Sequence, residues 1–291
     1  MERKSGIDLF GAVALSLFSL NLAFNQVVIK VTNAGLDPVF QAGLRSLGAC
    51  ALLGLWMLAR RIPVVLPPAA RFGGVLAGLL FAVEFVCLFT ALDLTTVART
   101  SIVFYSMPVW LALAAHFLLP GERLTVPRLA GLVLAMGGVV LALADGTASD
   151  GQLLGDIFAL CAALCWAGIA LCVRVTALSA ARAEQQLIWQ LIISAPVLLV
   201  LAPLFGPMVR DLTAIHVLGL GYQMIFIASF GFLFWFWLMK IYPASGVASF
   251  SFLSPVLAVV LAWVLLGEEI GLRVWIALGC VAVGLVLINR R

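Results

Sequence analysis

Apolar residues run along this chain in long blocks, and the segments between the blocks are short and polar. Set against proline, glycine and charged breakers, the blocks predict ten spans. They run from Ile7 to Val31, Pro38 to Ala59, Phe72 to Leu92, Thr96 to Leu118 and Pro127 to Ala144. After a polar linker, Asp145 to Gln152, come Leu154 to Leu178, Glu184 to Leu204, Ile215 to Met239, Pro243 to Leu266 and Leu272 to Ile288. Several exceed roughly 18 residues, the length that separates a membrane-spanning helix from a core helix. The blocks lack the alternation of apolar and polar positions that marks the strands of a membrane barrel. The pattern therefore predicts an all-α integral membrane protein.

The linker divides the chain into residues 1–146 and 147–291, and both halves carry the same marks. Ser106-Met107-Pro108-Val109 is followed by Pro120-Gly121-Glu122-Arg123 and then by Gly137-Gly138. The second half has Leu253-Ser254-Pro255-Val256, then Gly267-Glu268-Glu269-Ile270, then Gly284. Pro108 and Pro255, Glu122 and Glu269, and Gly137 and Gly284 are all separated by 147 residues. One interval shared by three unlike residue types predicts an internal duplication. Gly11 to Lys30 and Gly155 to Arg174 align in the same sense. Five spans is an odd number, so the two units must cross the bilayer in opposite directions, as two inverted five-helix repeats. Most lysines and arginines then collect at one set of helix ends, among them Arg3, Lys4, Arg60, Arg61, Arg71, Arg123, Arg128, Arg174, Arg182 and Lys240. By the positive-inside rule both termini are expected in the cytoplasm.

Composition sharpens this. The 291 residues are 64% hydrophobic and only 10% charged, where about a quarter of a soluble domain is charged. The net charge of +4 sits at helix ends, where it orients the chain and does not point to nucleic acid. The expected partners are the lipid bilayer and a small-molecule substrate. The six cysteines all fall inside apolar blocks and read as small buried hydrophobes. Met1 to Lys4 with the following apolar run superficially resembles a signal peptide, but the run is long and lacks a small-residue cleavage site, so it is expected to be the first span. There is no phosphate-cradling Gly-x-x-x-x-Gly-Lys-Ser/Thr loop, which argues against a nucleotide-driven pump. His116 and His216 stand alone at helix ends, so no catalytic cluster is expected. No cofactor or metal is implied.

These residues resemble the drug/metabolite transporter superfamily, in particular its ten-helix EamA-type members. The resemblance rests on Ala91-Leu92, Pro108, Gly121-Glu122-Arg123-Leu124, Gly131, Gly137-Gly138 and Arg45 in one half. In the other it rests on Trp166, Pro255, Gly267-Glu268-Glu269 and Gly284. Within that superfamily the chain is similar to the bacterial aromatic amino-acid exporters of the inner membrane. The resemblance implies alternating-access export through a central cavity lined by helices one, three, four, six, eight and nine. Efflux of other small amphipathic metabolites or drugs is the alternative on the same scaffold.

The candidate site residues follow from where polarity interrupts the apolar blocks. Pro108 and Pro255 lie mid-helix, lack a backbone donor and are expected to kink their helices. Glu84 is a carboxylate midway along the third helix, where a charge costs about 2.5 to 3.5 kcal/mol on insertion scales. It must therefore face a wet cavity or a partner: a substrate ammonium, a proton, or a base such as Arg45. Asn21 and Asn25 share a face of the first helix, serving either a neighbouring helix or a zwitterionic substrate. Ser101 and Tyr105 accompany Pro108, and Ser249 and Phe252 accompany Pro255. Phe81, Phe85 and Leu88 flank Glu84, while Trp166, Tyr222, Phe232 and Trp235 add large rings. Rings around a few polar groups suit an apolar side chain attached to a charged head. Lys30 and Arg99, near the outer helix ends, are either snorkelling cations or parts of a gate. Glu122 and Glu269 are expected to cap or pair locally in tight turns. Small residues four apart at Gly74 and Gly78 and at Gly131 and Ala135 serve packing within one chain or a homodimer, so oligomeric state stays open.

Overall fold

The computed structural model describes residues 7–119, 124–144, 150–242, 250 and 252–289. Helices α1 (Leu9–Asn33), α2 (Pro38–Ala59), α3 (Pro68–Leu94), α4 (Val97–Phe104), α5 (Met107–Leu118) and α6 (Val126–Leu143) form the first half. Helices α7 (Asp150–Val175), α8 (Ala183–Leu201), α9 (Ala214–Tyr222), α10 (Phe230–Ile241), α11 (Leu253–Leu266) and α12 (Leu272–Asn289) form the second. Among the described residues, eight helical stretches are long and apolar enough to cross a membrane, and Leu253–Leu266 and Leu272–Ile288 are shorter apolar helices. Side chains such as Phe10, Leu58, Phe72, Phe117, Leu218 and Trp263 stand exposed, so the outer surface is apolar, as contact with lipid tails requires.

Helix starts are written in side chains. Asp8 accepts from the Gly11 amide at 2.8 Å and opens α1. Asp37 accepts from the Val39 and Phe40 amides at 2.9 and 3.1 Å, with Pro38 in the first helical position. Thr96 caps α4 through the Arg99 amide at 3.1 Å. Each satisfies amides that the first turn of a helix leaves without partners.

The fourth predicted span is two helices, not one kinked helix. Tyr105 N–H still reaches the Ser101 carbonyl at 3.0 Å, but Ser106 N–H turns to Val103 at 3.1 Å and α4 ends. Pro108 then lies in the first turn of α5, where its missing donor leaves nothing unsatisfied. Pro255 occupies the first turn of α11 in the same manner; Pro243 to Ser249 and Ser251 lie outside the described residues. The eighth span, expected to be continuous, is also broken. A π-helical turn, Gln223–Ile227, follows α9, and Ala228 N–H reaches back to the Gln223 carbonyl at 2.9 Å. A side chain at Gly231 would come within 2.7 Å of the Phe226 carbonyl, so the turn requires glycine there.

Packing pairs the halves. α3 lies mainly on α7, α2 on α8, α1 on α11, and α6 on α12, while α1 also contacts α9 and the π-turn. Exchanging each span for the one five later largely maps this set onto itself. In the α6 and α12 pair, a Cβ at Gly131 would lie 2.7 Å from the Gly284 carbonyl, and one at Gly138 would lie 2.7 Å from the Ala277 carbonyl. Numbers rise along one helix as they fall along the other, so these two helices run antiparallel. The small residues at Gly131 and Ala135 thus serve packing within the chain. Gly284→Leu is expected to destabilise the protein by about 1 to 3 kcal/mol through overpacking. Gly137→Leu, with nothing within 4 Å of its Cβ, should leave the melting temperature in detergent unchanged.

Candidate functional site

Several buried polar groups of α1, α3 and α4 lack hydrogen-bond partners among the described residues. Asn25 Oδ1 and Gln26 Oε1 of α1, Glu84 Oε2 of α3 and Ser101 Oγ of α4 are buried with no hydrogen-bond partner among the described residues. Tyr105, at the end of α4, lies beside Gln26 of α1 and Ser254 of α11, so the break in the fourth span meets the first turn of α11 there. Aromatic rings lie on or beside the same helices and on α7. Phe81 and Phe85 meet edge to face at 4.4 Å, and Trp166 stacks on Phe104 at 4.8 Å with Tyr105 at 6.1 Å. Leu88 is buried in the same cluster, and Phe232 packs against it. Glu84 lies within electrostatic reach of Arg45 of α2 and Cys165 of α7.

Other predicted site residues lie elsewhere. The Asn21 amide donates to the Phe226 carbonyl at 3.1 Å, and its oxygen accepts from the Tyr222 hydroxyl. Asn21 is thus a tie from α1 to the π-turn, and of these two asparagines it is Asn25 whose amide oxygen has no partner among the described residues. Trp235 stacks on Phe18 at 5.0 Å in a separate cluster. Phe252 packs with the α6 and α12 core. Ser249 and Glu122 lie outside the described residues.

A second polar group closes the end of the bundle opposite the start of α1. Arg210, in the segment before α9, makes a bidentate pair with Asp93 at 2.9 and 3.0 Å, donates to the Asn33 carbonyl at 3.0 Å, and lies 3.9 Å from Asp37. Asp93 raises the Arg210 pKa through that hydrogen bond, against the opposing effect of partial burial. Lys30 Nζ donates to the Asp93 and Thr95 carbonyls at 3.3 and 2.8 Å. Arg99 is 6% exposed and pairs through two nitrogens with Asp156 of α7, itself 2% exposed. Arg99 is therefore not a snorkelling cation: a carboxylate from the other half holds it inside. Glu268 accepts from the Val97 and Ala98 amides at 2.7 and 3.1 Å. An acid in the turn before α12 thus caps α4, a long-range contact, while Glu269, the residue in register with Glu122, stands exposed.

Both histidines close local turns. Leu124 N–H donates to His116 Nδ1 at 3.3 Å, and Thr213 N–H donates to His216 Nδ1 at 3.0 Å. Among the described residues no group of His, Cys, Asp and Glu is arranged to hold a metal ion.

The EamA-like transporter family model matches residues 9–144 and again 153–290. The chain belongs to the EamA-like transporter family. It is a multi-pass membrane transporter for small molecules and not an enzyme. Two relatives from Bacillus subtilis (strain 168) are similar along their length. The Uncharacterized transporter YoaV is 25% identical over 268 residues, covering 90% of this chain and 91% of the relative. The Uncharacterized transporter YvbV is 24% identical over 285 residues, covering 96% and 92%. A crystal structure described only as that of a protein aligns with a TM-score of 0.68 at 22% identity over 95% of this chain and 96% of that one, a likeness of fold. In this EamA-like transporter, sequence reasoning missed Asp156, Asp93, Asp37 and Arg210. Asp156 carried a weaker form of the signal that marked Glu84, an acid two residues inside the apolar block that begins at Leu154.

Proposed function

We propose that this EamA-like transporter is a secondary carrier that exports amino acids, aromatic ones included, from the cytoplasm across the inner membrane by alternating access. The observation that carries this reading is the set Asn25, Gln26, Glu84 and Ser101, each with a buried atom that lacks a partner among the described residues, on helices that also bear or adjoin Phe81, Phe85, Tyr105 and the ring of Trp166 that meets Tyr105. Buried polar groups are normally hydrogen-bonded, and a ligand with a charged head and an apolar or aromatic side chain supplies what is missing. Broad specificity follows, because an apolar pocket separates similar side chains only weakly. The antiparallel α6 and α12, the first-turn prolines Pro108 and Pro255 at matching positions and the two family matches favour ten crossings. These form inverted repeats over 1–146 and 147–291, with both termini cytoplasmic.

In that orientation the ionic group faces the outside and acts as the outer gate. Lys30 and Arg99 belong to it, with Asp93, Arg210, Asp156 and Glu268. Rocking one repeat against the other breaks contacts between halves; the Asp93–Arg210, Arg99–Asp156 and Glu268 contacts are of that kind, while Lys30 holds the Asp93 and Thr95 carbonyls within the first half. A partly exposed pair is worth about 0.2 to 1 kcal/mol, so Asp93→Asn should raise the outward-open population by up to about fivefold. Ser101→Cys in a cysteine-free background reports it: labelling by an impermeant thiol reagent from outside should rise by that factor, and an unchanged rate removes Asp93 from the gate.

Counterflow tests the substrate. Proteoliposomes are loaded with unlabelled phenylalanine, tryptophan, threonine, a nucleoside or a cationic dye, and uptake of the same labelled compound is followed. The three amino acids should each drive uptake. Uptake driven by the nucleoside or dye alone would replace amino-acid export with general amphipathic efflux.

A further inference from the structure

Arg45 and Glu84 form an unusual pair. Arg45 of α2 is 3% exposed and Glu84 of α3 is 5% exposed, and they are near enough to interact electrostatically. Neither side chain makes a hydrogen bond among the described residues, and Arg45 Nε and Glu84 Oε2 are buried without partners. The Arg45 guanidinium instead lies over the Phe85 ring, 4.1 Å from its centre, and 5.5 Å from that of Phe89. A buried ion pair offsets its desolvation only when geometry is close and the remaining donors and acceptors are used. Here the two side chains are buried near each other, one face of the guanidinium is covered by an aromatic ring, and hydrogen-bonding atoms of both are left over.

Resting on the amino-acid reading above, we propose that Arg45 and Glu84 are a split ion pair that a zwitterion completes. Arg45 binds the α-carboxylate and Glu84 binds the α-ammonium. A guanidinium presents parallel N–H donors that match a carboxylate, and a carboxylate accepts from an ammonium. The two protein charges cancel, and so do the two charges of the substrate head, so the occupied site stays neutral in the membrane interior. A ligand with only one of those charges leaves a net charge buried and one edge unsatisfied, which an interior of low dielectric penalises heavily. The side chain then lies among Phe81, Phe85 and Trp166, where selectivity is weak. The head group is therefore what this carrier reads.

The test uses the purified full-length carrier in proteoliposomes. Exchange of labelled phenylalanine is measured against internal phenylalanine, phenethylamine, which lacks the carboxylate, and 3-phenylpropanoate, which lacks the ammonium. Wild type should exchange phenylalanine at least tenfold faster than either analogue. Arg45→Gln should lower phenylalanine exchange at least tenfold, mainly through apparent affinity, and should improve phenethylamine relative to phenylalanine; Arg45→Lys should recover part of the loss. Equal wild-type exchange of phenylalanine and its one-charge analogues overturns the split pair while leaving amino-acid export intact, as does full activity in Arg45→Gln. Absence of any wild-type amino-acid exchange overturns both. Should Arg45→Gln fail to fold, the wild-type panel decides, because it needs no variant.

Discussion

Asp156→Asn is expected to destabilise the protein by about 3 to 5 kcal/mol, the penalty for breaking a buried ion pair and leaving the other charge without a partner. Arg99 lies within the fourth span, 6% exposed, and its guanidinium is paired with Asp156. Asparagine keeps the shape but removes the charge, so the guanidinium stays buried and uncompensated. Arg99→Met should cost a comparable amount for the mirror reason. The double variant, Arg99→Met with Asp156→Leu, should regain most of the loss, because replacing both members of a buried pair by apolar residues is often neutral or better. Melting temperatures of the four proteins in one detergent form a double-mutant cycle. Additive losses would mean that the pair contributes nothing as a pair. Transport gives a second readout: a stable double variant that exchanges substrate with its outer end no longer favoured shut would show that the pair sets a conformational equilibrium.

Helix placement was largely legible. Pro38–Ala59 was predicted to the residue because Asp37 and Pro38 write a helix start and the polar run after Ala59 writes its end. The break near Tyr105 was signalled by Pro108, although as a kink; the structure ends one helix and begins another because proline sits comfortably in a first turn. The break in the eighth span had no such signal. It arises from a π-turn stabilised by ties to Asn21 and by the close approach that Gly231 permits, and neither has a local sequence pattern. Individual site residues divide along the same line. Glu84 and Ser101 stood out because polarity inside an apolar block is expensive wherever the block ends up. Asp93, Asp37 and Arg210 lie in or beside polar connections, where a charge is ordinary. Their convergence depends on a contact between segments more than a hundred residues apart. Glu268 was passed over for Glu269, since register with Glu122 marks a repeat position and says nothing about which carboxylate reaches across to α4.

Glu84→Gln is expected to lower phenylalanine exchange per folded protein by at least thirtyfold. Truncating one partner of a buried, hydrogen-bonded charge pair, in this case the pair of Glu84 with the bound ammonium, costs about 2 to 5 kcal/mol, and the lower limit corresponds to that factor. The amide retains size and an acceptor but loses the charge that an ammonium needs. Arg45 then stands as the sole charge of the pair facing the substrate. Glu84→Asp keeps the charge on a shorter stem and should fall between the two, with loss mainly in apparent affinity. A proton-carrying role predicts a different pattern. If Glu84 served only to couple flux to protons, Glu84→Gln would abolish accumulation driven by a pH gradient yet leave gradient-free exchange near wild type. Exchange measured with equal pH on both sides therefore separates the two roles. Loss of exchange assigns Glu84 to the substrate, retained exchange with lost accumulation assigns it to the proton, and full activity in both assays removes it from the site.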